Sequence, residues 1–510
     1  MRISKWTYVA AFAALALSIR GYGQANPPHH VYKLTPVGTF GGPDSFGDGT
    51  GPANFNLNYL NNLGGTVGTV ATGKLDPFAP DCFFDCNVDD AFVFQNGKLT
   101  NLGALTPNNS SWAFGLNDFG LVIGVSENGL ADPATGFPEY HAVVWNNGKI
   151  KDLGTLGGSV SLAQAVNDLG MVVGASANDI PDDYANSLGP CTTMQCWPVT
   201  TQLRAFLWQG GRMKDLGTLG GNDAVAYVTN QIGQVAGVSF TNTTPNATTG
   251  VPTQDPFLWE NGRMIDLGTF GGTMGEVSSM NNRGQVVGQS NVAGDLGPAP
   301  FLWDHGVLTY LGDLVTIPGE AGPAGAYWVN DFGEIVGVSI TNDYSFHAFL
   351  WRQGTMTDLG TLGGTSVGYG INAGGQVVGF SYPGSGPYTS AILWEGGGPM
   401  VDLNTLVKTP SSLHLTSAYA ISDSGEILAQ GILPNGDTRV AVLTPDGICN
   451  AACEARIAAS QTAQTAAVQT APIALATRNT SSLLGKGSSF VQTPLGMRNF
   501  WPKPAPAPAN

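Results

Sequence analysis

The sequence is poor in charged residues, and above all in basic ones. Only 11% of its 510 residues are charged, and 21 lysines and arginines face 37 aspartates and glutamates, for a formal net charge of −16. A nucleic-acid partner is therefore disfavoured, because phosphate binding requires a basic surface. Glycine is abundant instead, with 71 residues, and 42% of residues are hydrophobic. This composition is typical of a folded, turn-rich protein and not of a disordered one.

Residue patterns that indicate a catalytic or metal site are also missing. Only six histidines occur, and no Cys-x-x-Cys pair, Gly-x-x-x-x-Gly-Lys-Ser/Thr phosphate loop or Asp-x-Asp-x-Asp-Gly calcium loop is present. The sequence therefore predicts a protein that is not an enzyme and has no cofactor, with calcium left open as an aid to ligand contact.

The chain has one long apolar run, and it lies at the N-terminus. Arg2 and Lys5 precede an apolar stretch at residues 6–19, and the small residues Gly23 and Ala25 suit a cleavage site. The run is shorter than the roughly 20 residues of a membrane span, which is the alternative interpretation. Residues 1–25 are therefore predicted to be a secretory signal peptide, and the mature protein to be secreted, extracellular or on the cell surface.

Cysteine is rare but regularly spaced. The six residues form three close pairs, Cys82 with Cys86, Cys191 with Cys196, and Cys449 with Cys453. In an exported protein such pairs are expected to form local disulfides that staple loops. A metal site is the alternative, but it would require two distant pairs to converge.

An internal repeat of about 50 residues fills most of the chain. One half of the repeat is an asparagine followed seven residues later by glycine, as in "VNDLGMVVG". The markers, the last of them a degraded copy, are Asn61, Asn117, Asn167, Asn230, Asn281, Asn330, Asn372 and Ser422. The other half is "AFLWQGGRMKDLGTLGG" at residues 205–221, with echoes at 142–158, 257–272, 348–364 and 391–406.

Each half of the repeat is predicted to be a β-hairpin. Asn-Asp-x-Gly segments and Asn-Gly dipeptides are predicted to form the turns. Short runs rich in β-branched and aromatic residues flank these turns. Four strands in about 50 residues are typical of a β-propeller blade. The segment 31–42 resembles a fourth strand, and the segment 439–445 a third strand without a fourth. The sequence thus predicts eight four-stranded blades, with seven as the alternative, in a ring closed by the N-terminal strand.

The repeated strings "GQVVGQS", "HAFLW" at residues 347–351 and "DLGTLGG" resemble the HAF repeat of bacterial extracellular proteins. The resemblance covers about residues 31–445 and implies export and a repeat architecture, but no particular activity. His141 and His347 keep the histidine that names the repeat, whereas Arg204, Asp255 and Ala299 replace it elsewhere.

The string "DLGTLGG" itself is interpreted as a connection between blades. It follows a strand but does not open a helix, so a phosphate-binding loop is disfavoured. Its recurring aspartates are predicted to form structural hydrogen bonds, with a radial set of cation ligands as the alternative. They are Asp152, Asp215, Asp266, Asp358 and Asp402.

Length varies mainly between the second and third strands of each repeat, at about residues 71–89, 126–140, 176–203 and 240–254. These loops emerge on one face and are acidic and aromatic, which suits sugar rings or a calcium-assisted contact. The alternative is that the aromatic residues pack the loops down and the acids keep the protein soluble. The candidate ligand-face residues are Phe83, Phe84, Asp85, Tyr140, Asp182, Asp183, Tyr184 and Trp197.

The predicted organisation is a signal peptide at 1–25, a propeller at 26–445, and a short helix with a disordered Ala/Pro-rich tail at 446–510. The predicted function is a non-catalytic binding or scaffolding module, possible ligands being a polysaccharide or a cell-surface protein. Two alternatives stay open: a polysaccharide-active hydrolase or lyase that uses loop carboxylates, and a purely structural surface protein. The mature chain is expected to be monomeric and to lack a transmembrane segment.

Overall fold

The computed structural model describes residues 29–47, 59–79, 87–188, 198–317, 322–384 and 387–470. In these residues regular structure is almost entirely β-strand. The predicted signal peptide, the pairs Cys82–Cys86 and Cys191–Cys196, and the tail beyond residue 470 lie outside the described residues.

The 32 strands of the described residues fall into eight groups of four, named sheets A to H. The first strand of the chain, β1 (His30–Pro36), belongs to the last group. The strands of sheets A to D follow one another along the chain and pair antiparallel. Sheet A contains β2 (Ser45–Phe46), β3 (Thr66–Leu75), β4 (Asn87–Gln95) and β5 (Lys98–Asn101); sheet B β6 (Ser111–Leu116), β7 (Val122–Ala131), β8 (Pro138–Asn146) and β9 (Lys149–Asp152); sheet C β10 (Ser161–Val166), β11 (Val172–Pro181), β12 (Thr201–Gln209) and β13 (Arg212–Asp215); sheet D β14 (Ala224–Thr229), β15 (Val235–Phe240), β16 (Gln254–Glu260) and β17 (Arg263–Asp266).

Sheets E to H repeat the arrangement. Sheet E contains β18 (Gly271–Met280), β19 (Val286–Val292), β20 (Pro298–Asp304) and β21 (Val307–Tyr310); sheet F β22 (Ala324–Val329), β23 (Ile335–Ile340), β24 (Phe346–Arg352) and β25 (Thr355–Asp358); sheet G β26 (Ser366–Ile371), β27 (Val377–Ser381), β28 (Ser390–Trp394) and β29 (Val401–Asp402); sheet H β30 (His414–Ile421), β31 (Ile427–Ile432) and β32 (Thr438–Ile448). One parallel bridge, Gln254 with Met274, joins sheets D and E.

Strand β1 completes sheet H, as the sequence predicts. It pairs antiparallel with β32, with Lys33 opposite Thr444 and Pro36 opposite Ala441. The two ends of the repeat region are therefore held in one sheet by backbone hydrogen bonds.

The marker asparagines form the turns between the first and second strands of the sheets. In sheet B the Asn117 Oδ1 accepts hydrogen bonds from the backbone N–H groups of Phe119 at 3.1 Å and Leu121 at 2.9 Å. Its Nδ2 donates to the Asn167 carbonyl of sheet C at 3.0 Å. The Asn167 Nδ2 donates in the same way to the Asn230 carbonyl at 2.8 Å. Each asparagine thus closes its own turn and binds the next sheet.

This ladder of asparagines runs through all the sheets. The same Nδ2-to-carbonyl bond links Asn61 to Asn117, Asn230 to Asn281, Asn281 to Asn330, Asn330 to Asn372 and Asn372 to Ser422. Ser422 keeps the turn, since its Oγ accepts a hydrogen bond from the Glu426 N–H at 3.0 Å. The degraded eighth marker therefore occupies the position that the sequence predicts.

The glycine seven residues after each asparagine is explained by close backbone approach. In sheet C the first strand has an irregular register between Ala163 and Ala165, and a Cβ on Gly174 would lie 1.9 Å from the Leu162 carbonyl oxygen. Directly opposite Gly174 on β12 is Phe206, whose side chain is fully buried. The glycine of "VVG" therefore makes room both for a bulged neighbouring strand and for the ring of "AFLW".

The core consists of apolar layers between neighbouring sheets. The second and third strands of each sheet supply most of it, as expected for strands covered on both faces. One cluster unites Val67 and Phe92 of sheet A with Val143 and Trp145 of sheet B, and also with Val440 of sheet H. Sheet H thus packs against sheet A through side chains as well as against sheet G.

Three helices lie outside the sheets within the described residues. They are α1 (Ala185–Leu188), α2 (Leu403–Leu406) and α3 (Ala451–Thr470). A disulfide joins Cys449 to Cys453 at the start of α3, as predicted for this pair, and Ile457 one turn later packs against α2. Helix α3 covers the segment for which the sequence predicts a short helix.

Candidate functional site

The two ends of each sheet differ in construction. The flat face carries the asparagine turns and the short turns between third and fourth strands. In sheet D a relay of hydrogen bonds from Asn230 through Gln234 to Glu260 connects these two turns at the same end. The long-loop face, at the other end, carries the hairpins between second and third strands and the connections between sheets. Binding residues concentrate on long loops of rigid scaffolds, so the long-loop face is the candidate site.

The strands extend further into the long-loop face than the sequence predicts. The predicted loop 126–140 is largely a hairpin of β7 and β8 that turns at residues 132–137, where the Asp132 N–H donates to the Phe137 carbonyl at 2.8 Å. Strands β11 and β12 likewise take up both ends of the predicted loop 176–203. The residues that begin β8 and β12 are buried or half-buried, whereas the last residues of β7 and β11 are exposed.

A buried pair of carboxylates lies between the loops of sheets A and B. Asp76 is 3% exposed and Glu127 is fully buried. Ser110 connects them, because its Oγ donates to Asp76 Oδ2 at 2.8 Å and its backbone N–H donates to Glu127 Oε2 at 2.9 Å. The Asn109 Nδ2 adds a third hydrogen bond, to Glu127 Oε2 at 3.2 Å.

The environment of Glu127 changes its protonation. Burial raises its pKa to about 7, and the charge of Asp76 adds to the rise, although hydrogen bonds from Ser110, Asn109 and Tyr140 oppose it. A carboxyl group that titrates near neutral pH suits a general acid. Glu127 does not reach the surface, however, so in this structure its contacts hold the β7–β8 hairpin on the connection that leads into sheet B.

A second carboxylate pair lies between sheets C and D. The fully buried Asp223 accepts a hydrogen bond from the Leu203 N–H at 2.7 Å, and Asp182 accepts one from the Asn222 Nδ2 at 2.5 Å. Burial raises the pKa of Asp223 to about 7, with a further rise from the neighbouring Asp182. Near neutral pH the pair therefore carries less than two negative charges.

The described candidate residues from the sequence are mostly engaged in holding the loops. Tyr140 is 1% exposed, and its ring centroid lies 5.7 Å from that of Trp112, so it is part of the core between sheets. Tyr184 is half-buried against the cluster that contains Leu188 of α1. Asp182 accepts the Tyr184 N–H at 2.6 Å, whereas Asp183 is exposed.

The remaining candidates are not placed. Phe83, Phe84, Asp85 and Trp197 lie outside the described residues, and their role on the ligand face stays a prediction. The structure thus brings Asp182 and Tyr184 together, but not as an open site.

A set of exposed apolar residues on this face escapes sequence reasoning. They lie at the tips of the hairpins between second and third strands, in six of the sheets. They are Leu75, Leu130, Ile180, Leu296, Tyr344 and Tyr388, and they are 40–84% exposed. Single apolar residues in variable loops carry no periodic signal, so only the structure shows that they share a face.

One shallow pocket lies beside these tips. Val315 and Ile317 of the connection between sheets E and F, with Ile340 and Tyr344 of sheet F, line a cavity of about 100 Å³. Small-molecule sites usually enclose about 300–1,000 Å³. The pocket therefore suits a side chain or part of a chain-like ligand more than an enclosed small molecule.

The position that names the HAF repeat forms a pair with the aspartate of "DLG". His141 Nδ1 lies 2.8 Å from Asp152 Oδ2, and in sheet C the Arg204 Nε donates to Asp215 Oδ2 at 3.0 Å. Sheet F repeats the histidine pair, with His347 Nδ1 2.8 Å from Asp358 Oδ2. In these three sheets the aspartate therefore has a positive or hydrogen-donating partner.

Sheet D breaks this rule, because Asp255 faces the aspartate Asp266. Burial, followed by the charge and hydrogen bonding of Asp266, raises the pKa of Asp255 to about 6. Below about pH 6 a proton on Asp255 therefore takes the place of the missing cation.

The aspartates of "DLGTLGG" form structural hydrogen bonds, as the sequence predicts. In sheet B the Asp152 Oδ1 accepts the Gly154 N–H at 2.7 Å, and the Thr155 Oγ1 donates to the Gly158 carbonyl at 2.8 Å. The Leu156 N–H donates to the Ser176 Oγ of sheet C at 2.8 Å. The repeated string is therefore a self-capped connection that binds the next sheet.

In the described part of the chain, no group of three or more histidine, cysteine, aspartate or glutamate side chains is arranged to hold a metal ion. Among the described residues, no helix has the length and apolar character to cross a bilayer.

Comparisons with known proteins show distant similarity to solved structures. No protein-family model matches the sequence, and no curated protein matches it. Among solved structures, the crystal structure of TolB from Acinetobacter baumannii is similar with a TM-score of 0.30 and 13% sequence identity, over 64% of this chain and 81% of that one. The description of the fold therefore depends on the sheets themselves, which are antiparallel, four-stranded and propeller-like.

Proposed function

We propose that this chain is a closed, eight-bladed β-propeller of the HAF-repeat type, which acts outside the cytoplasm as a non-catalytic binding or scaffolding module. Each of the sheets A to H is one blade. The ligand surface is the long-loop face. The proposed ligands are chain-like, a polysaccharide or an extended segment of a surface protein.

The observation that carries this proposal is that sheets H and A are joined by hydrogen bonds of the same kinds as those between other neighbouring sheets. The Asp423 N–H donates to Asn62 Oδ1 at 3.4 Å, as the Asn62 N–H does to Asp118 Oδ1 at 3.0 Å. The Val440 N–H donates to Ser45 Oγ at 3.0 Å, as the Ala142 N–H of sheet B does to the serine of sheet C. Equivalent bonds between the last and first sheets support a ring, which also removes unpaired sheet edges.

Ring closure is tested by cysteine pairs on the flat face. Asn62→Cys with Asp423→Cys is expected to form a disulfide in the purified protein, as is the control pair Asn62→Cys with Asp118→Cys. Asn62→Cys with Asn282→Cys, on opposite sides of an eight-membered ring, is expected to stay reduced. Peptide mapping of the non-reduced protein detects each bond. A pair 62–423 that stays reduced while 62–118 oxidises contradicts a closed ring.

Binding on the long-loop face is supported by the exposed hairpin tips and the acidic residues between them. Apolar and aromatic side chains on a polar surface are typical of interaction sites. Export, which the proposal includes, is supported by the N-terminal sequence and by the Cys449–Cys453 disulfide.

The test of binding uses residues 26–510 and a panel of polysaccharides and cell-wall fractions, with calcium and with a chelator. We expect saturable binding without released products. Replacing Leu130, Leu296 and Tyr344 together by serine is expected to weaken it at least tenfold, while Phe119→Ser with Phe332→Ser on the flat face leaves it unchanged. The assigned face is contradicted if the long-loop-face variant binds as strongly as the unchanged protein, or if both variants weaken binding equally.

One observation favours an enzyme as the second candidate. Glu127 and Asp223 both titrate near neutral pH beside a second carboxyl group, which resembles the acid–base pairs of glycoside hydrolases. Because both groups are fully buried, this function requires the loops to open. Product release from a bound polysaccharide that is abolished by Glu127→Gln or Asp223→Asn, with the fold intact, would establish it in place of the binding module.

A further inference from the structure

The flat face has a feature that the long-loop face does not explain. The asparagine turns of neighbouring sheets are joined by one repeated hydrogen bond, so the turns lie at one level. The third residue of each turn points away from this level. In sheets A to D that residue is Leu63, Phe119, Leu169 and Ile232, with exposures of 64%, 80%, 59% and 65%. Four successive sheets thus present large apolar side chains side by side.

A basic rim accompanies these apolar tips. The short turn between third and fourth strands lies at the same end of each sheet, and the residue that follows it begins the outer strand. In sheets A to D this residue is basic and exposed: Lys98, Lys149, Arg212 and Arg263. None of the four takes part in an ion pair with another described residue.

Most of the apolar tips and the basic rim are missing from sheets E to H. The turns of sheets E, G and H carry Arg283, Gly374 and Ser424 at the tip, and only sheet F keeps an apolar residue. Outer strands β21 and β25 begin with Val307 and Thr355 instead of a basic residue. Apolar tips and basic rim therefore mark one sector, formed by sheets A to D.

We propose that this sector binds the surface of an anionic lipid bilayer, with the apolar tips inserted among the lipid headgroups and the basic rim on the phosphates. Apolar side chains beside lysine and arginine are the combination that holds peripheral proteins at the interface. A set of tips at one level suits a plane, whereas an extended peptide requires a groove or a free strand edge. The protein lies on the membrane and does not span it.

Two acidic residues of the sector, Asp118 and Asp168, are compatible with this contact. Asp118 accepts hydrogen bonds from the Asn62 N–H at 3.0 Å, and Asp168 accepts the Asp118 N–H at 3.0 Å, so both carboxylates face neighbouring backbone donors. The chain as a whole is strongly negative, with a net charge of −16. Because anionic lipids repel the acidic remainder of the molecule, the flat face of sheets A to D is the side that approaches the membrane. The long-loop face then points away from the membrane.

The test is flotation of the full mature chain with vesicles of phosphatidylcholine alone and of phosphatidylcholine with an equal amount of phosphatidylglycerol. We expect binding to the mixed vesicles at 50 mM salt, loss at 500 mM salt, and little binding to the neutral vesicles. Replacing Lys98, Lys149, Arg212 and Arg263 by glutamine is expected to weaken partitioning at least about 100-fold. Phe119→Ser with Leu169→Ser is expected to weaken it at least about tenfold.

The matched control is Leu130→Ser with Leu296→Ser, which removes equally exposed apolar residues from the long-loop face and is expected to leave vesicle binding unchanged. No binding to anionic vesicles, or binding that the flat-face variants do not weaken, overturns the proposal. Because glycan binding is assayed with the opposite face and without lipid, it can fail or succeed independently of this result.

Discussion

Replacing Asn167 by alanine tests whether the asparagine ladder holds the sheets together. Asn167 is 1% exposed, and its side chain forms three hydrogen bonds: to the Asn230 carbonyl at 2.8 Å, and from the N–H groups of Leu169 and Met171 at 3.0 Å each. Alanine fills the space only partly and leaves these buried groups without partners. A net value of about 1 kcal/mol for each bond gives a loss of about 3 kcal/mol in the free energy of unfolding.

The assay is urea unfolding of the mature chain, followed by tryptophan fluorescence and circular dichroism in parallel. The two probes must agree before one free energy is assigned, since a molecule of this size can unfold in stages. Asn167→Ser is the matched comparison, because Ser422 occupies the equivalent turn naturally and its Oγ still accepts a backbone N–H. Asn167→Ser is expected to lower the free energy of unfolding, but by less than Asn167→Ala does.

The reasoning fails if Asn167→Ala lowers the free energy of unfolding by less than about 0.5 kcal/mol, the range of an ordinary surface substitution. It also fails if serine and alanine are equally harmful, because the retained hydrogen bond would then contribute nothing.

Three further predictions concern the strands, the buried acids and the terminal helix. Gly174→Ala is expected to destabilise the protein by about 3 kcal/mol, since the added Cβ would lie 1.9 Å from a carbonyl oxygen, whereas Gly38→Ala, with ordinary contact distances, changes the urea midpoint little. Because the folded pKa of Glu127 is raised from 4.5 to about 7, the stability that its protonated form contributes is present below pH 4.5 and is lost as the pH rises through 7. Urea midpoints measured from pH 5 to pH 8 should therefore fall in the wild type and fall less in Glu127→Gln; equal slopes refute the assignment. Cys449→Ser removes a short loop closure worth about 2 kcal/mol locally, so limited proteolysis should cut α3 sooner while the midpoint of the sheets stays unchanged.

The candidate site shows where sequence reasoning reaches its limit. The sequence selects acidic and aromatic residues in the variable loops, but it treats Tyr140 and Asp183 alike. The structure buries Tyr140 against Trp112 and leaves Asp183 exposed. Which loop residue turns inward depends on contacts with the neighbouring sheet, and those contacts join residues that are far apart in the chain.

The sequence by itself determined the repeat, the hairpins and the pairing of β1 with β32. These follow from local rules. Asparagine and glycine set the turns, and short glycine-bounded runs of β-branched and aromatic residues set the strands. A third strand without a fourth at the end of the repeats predicts that the N-terminal strand completes the last sheet. Because the same pattern recurs in every copy of the repeat, a copy with an ambiguous sequence can be interpreted from the other copies.

Only the tertiary structure decided how these units meet. It placed Glu127 beside Asp76 across two sheets and raised its pKa, and it brought four apolar tips and four basic residues into one sector of the flat face. Burial, pKa and shared surface are properties of neighbours in space, and the chain order of a repeat protein separates those neighbours by a full repeat of about 50 residues.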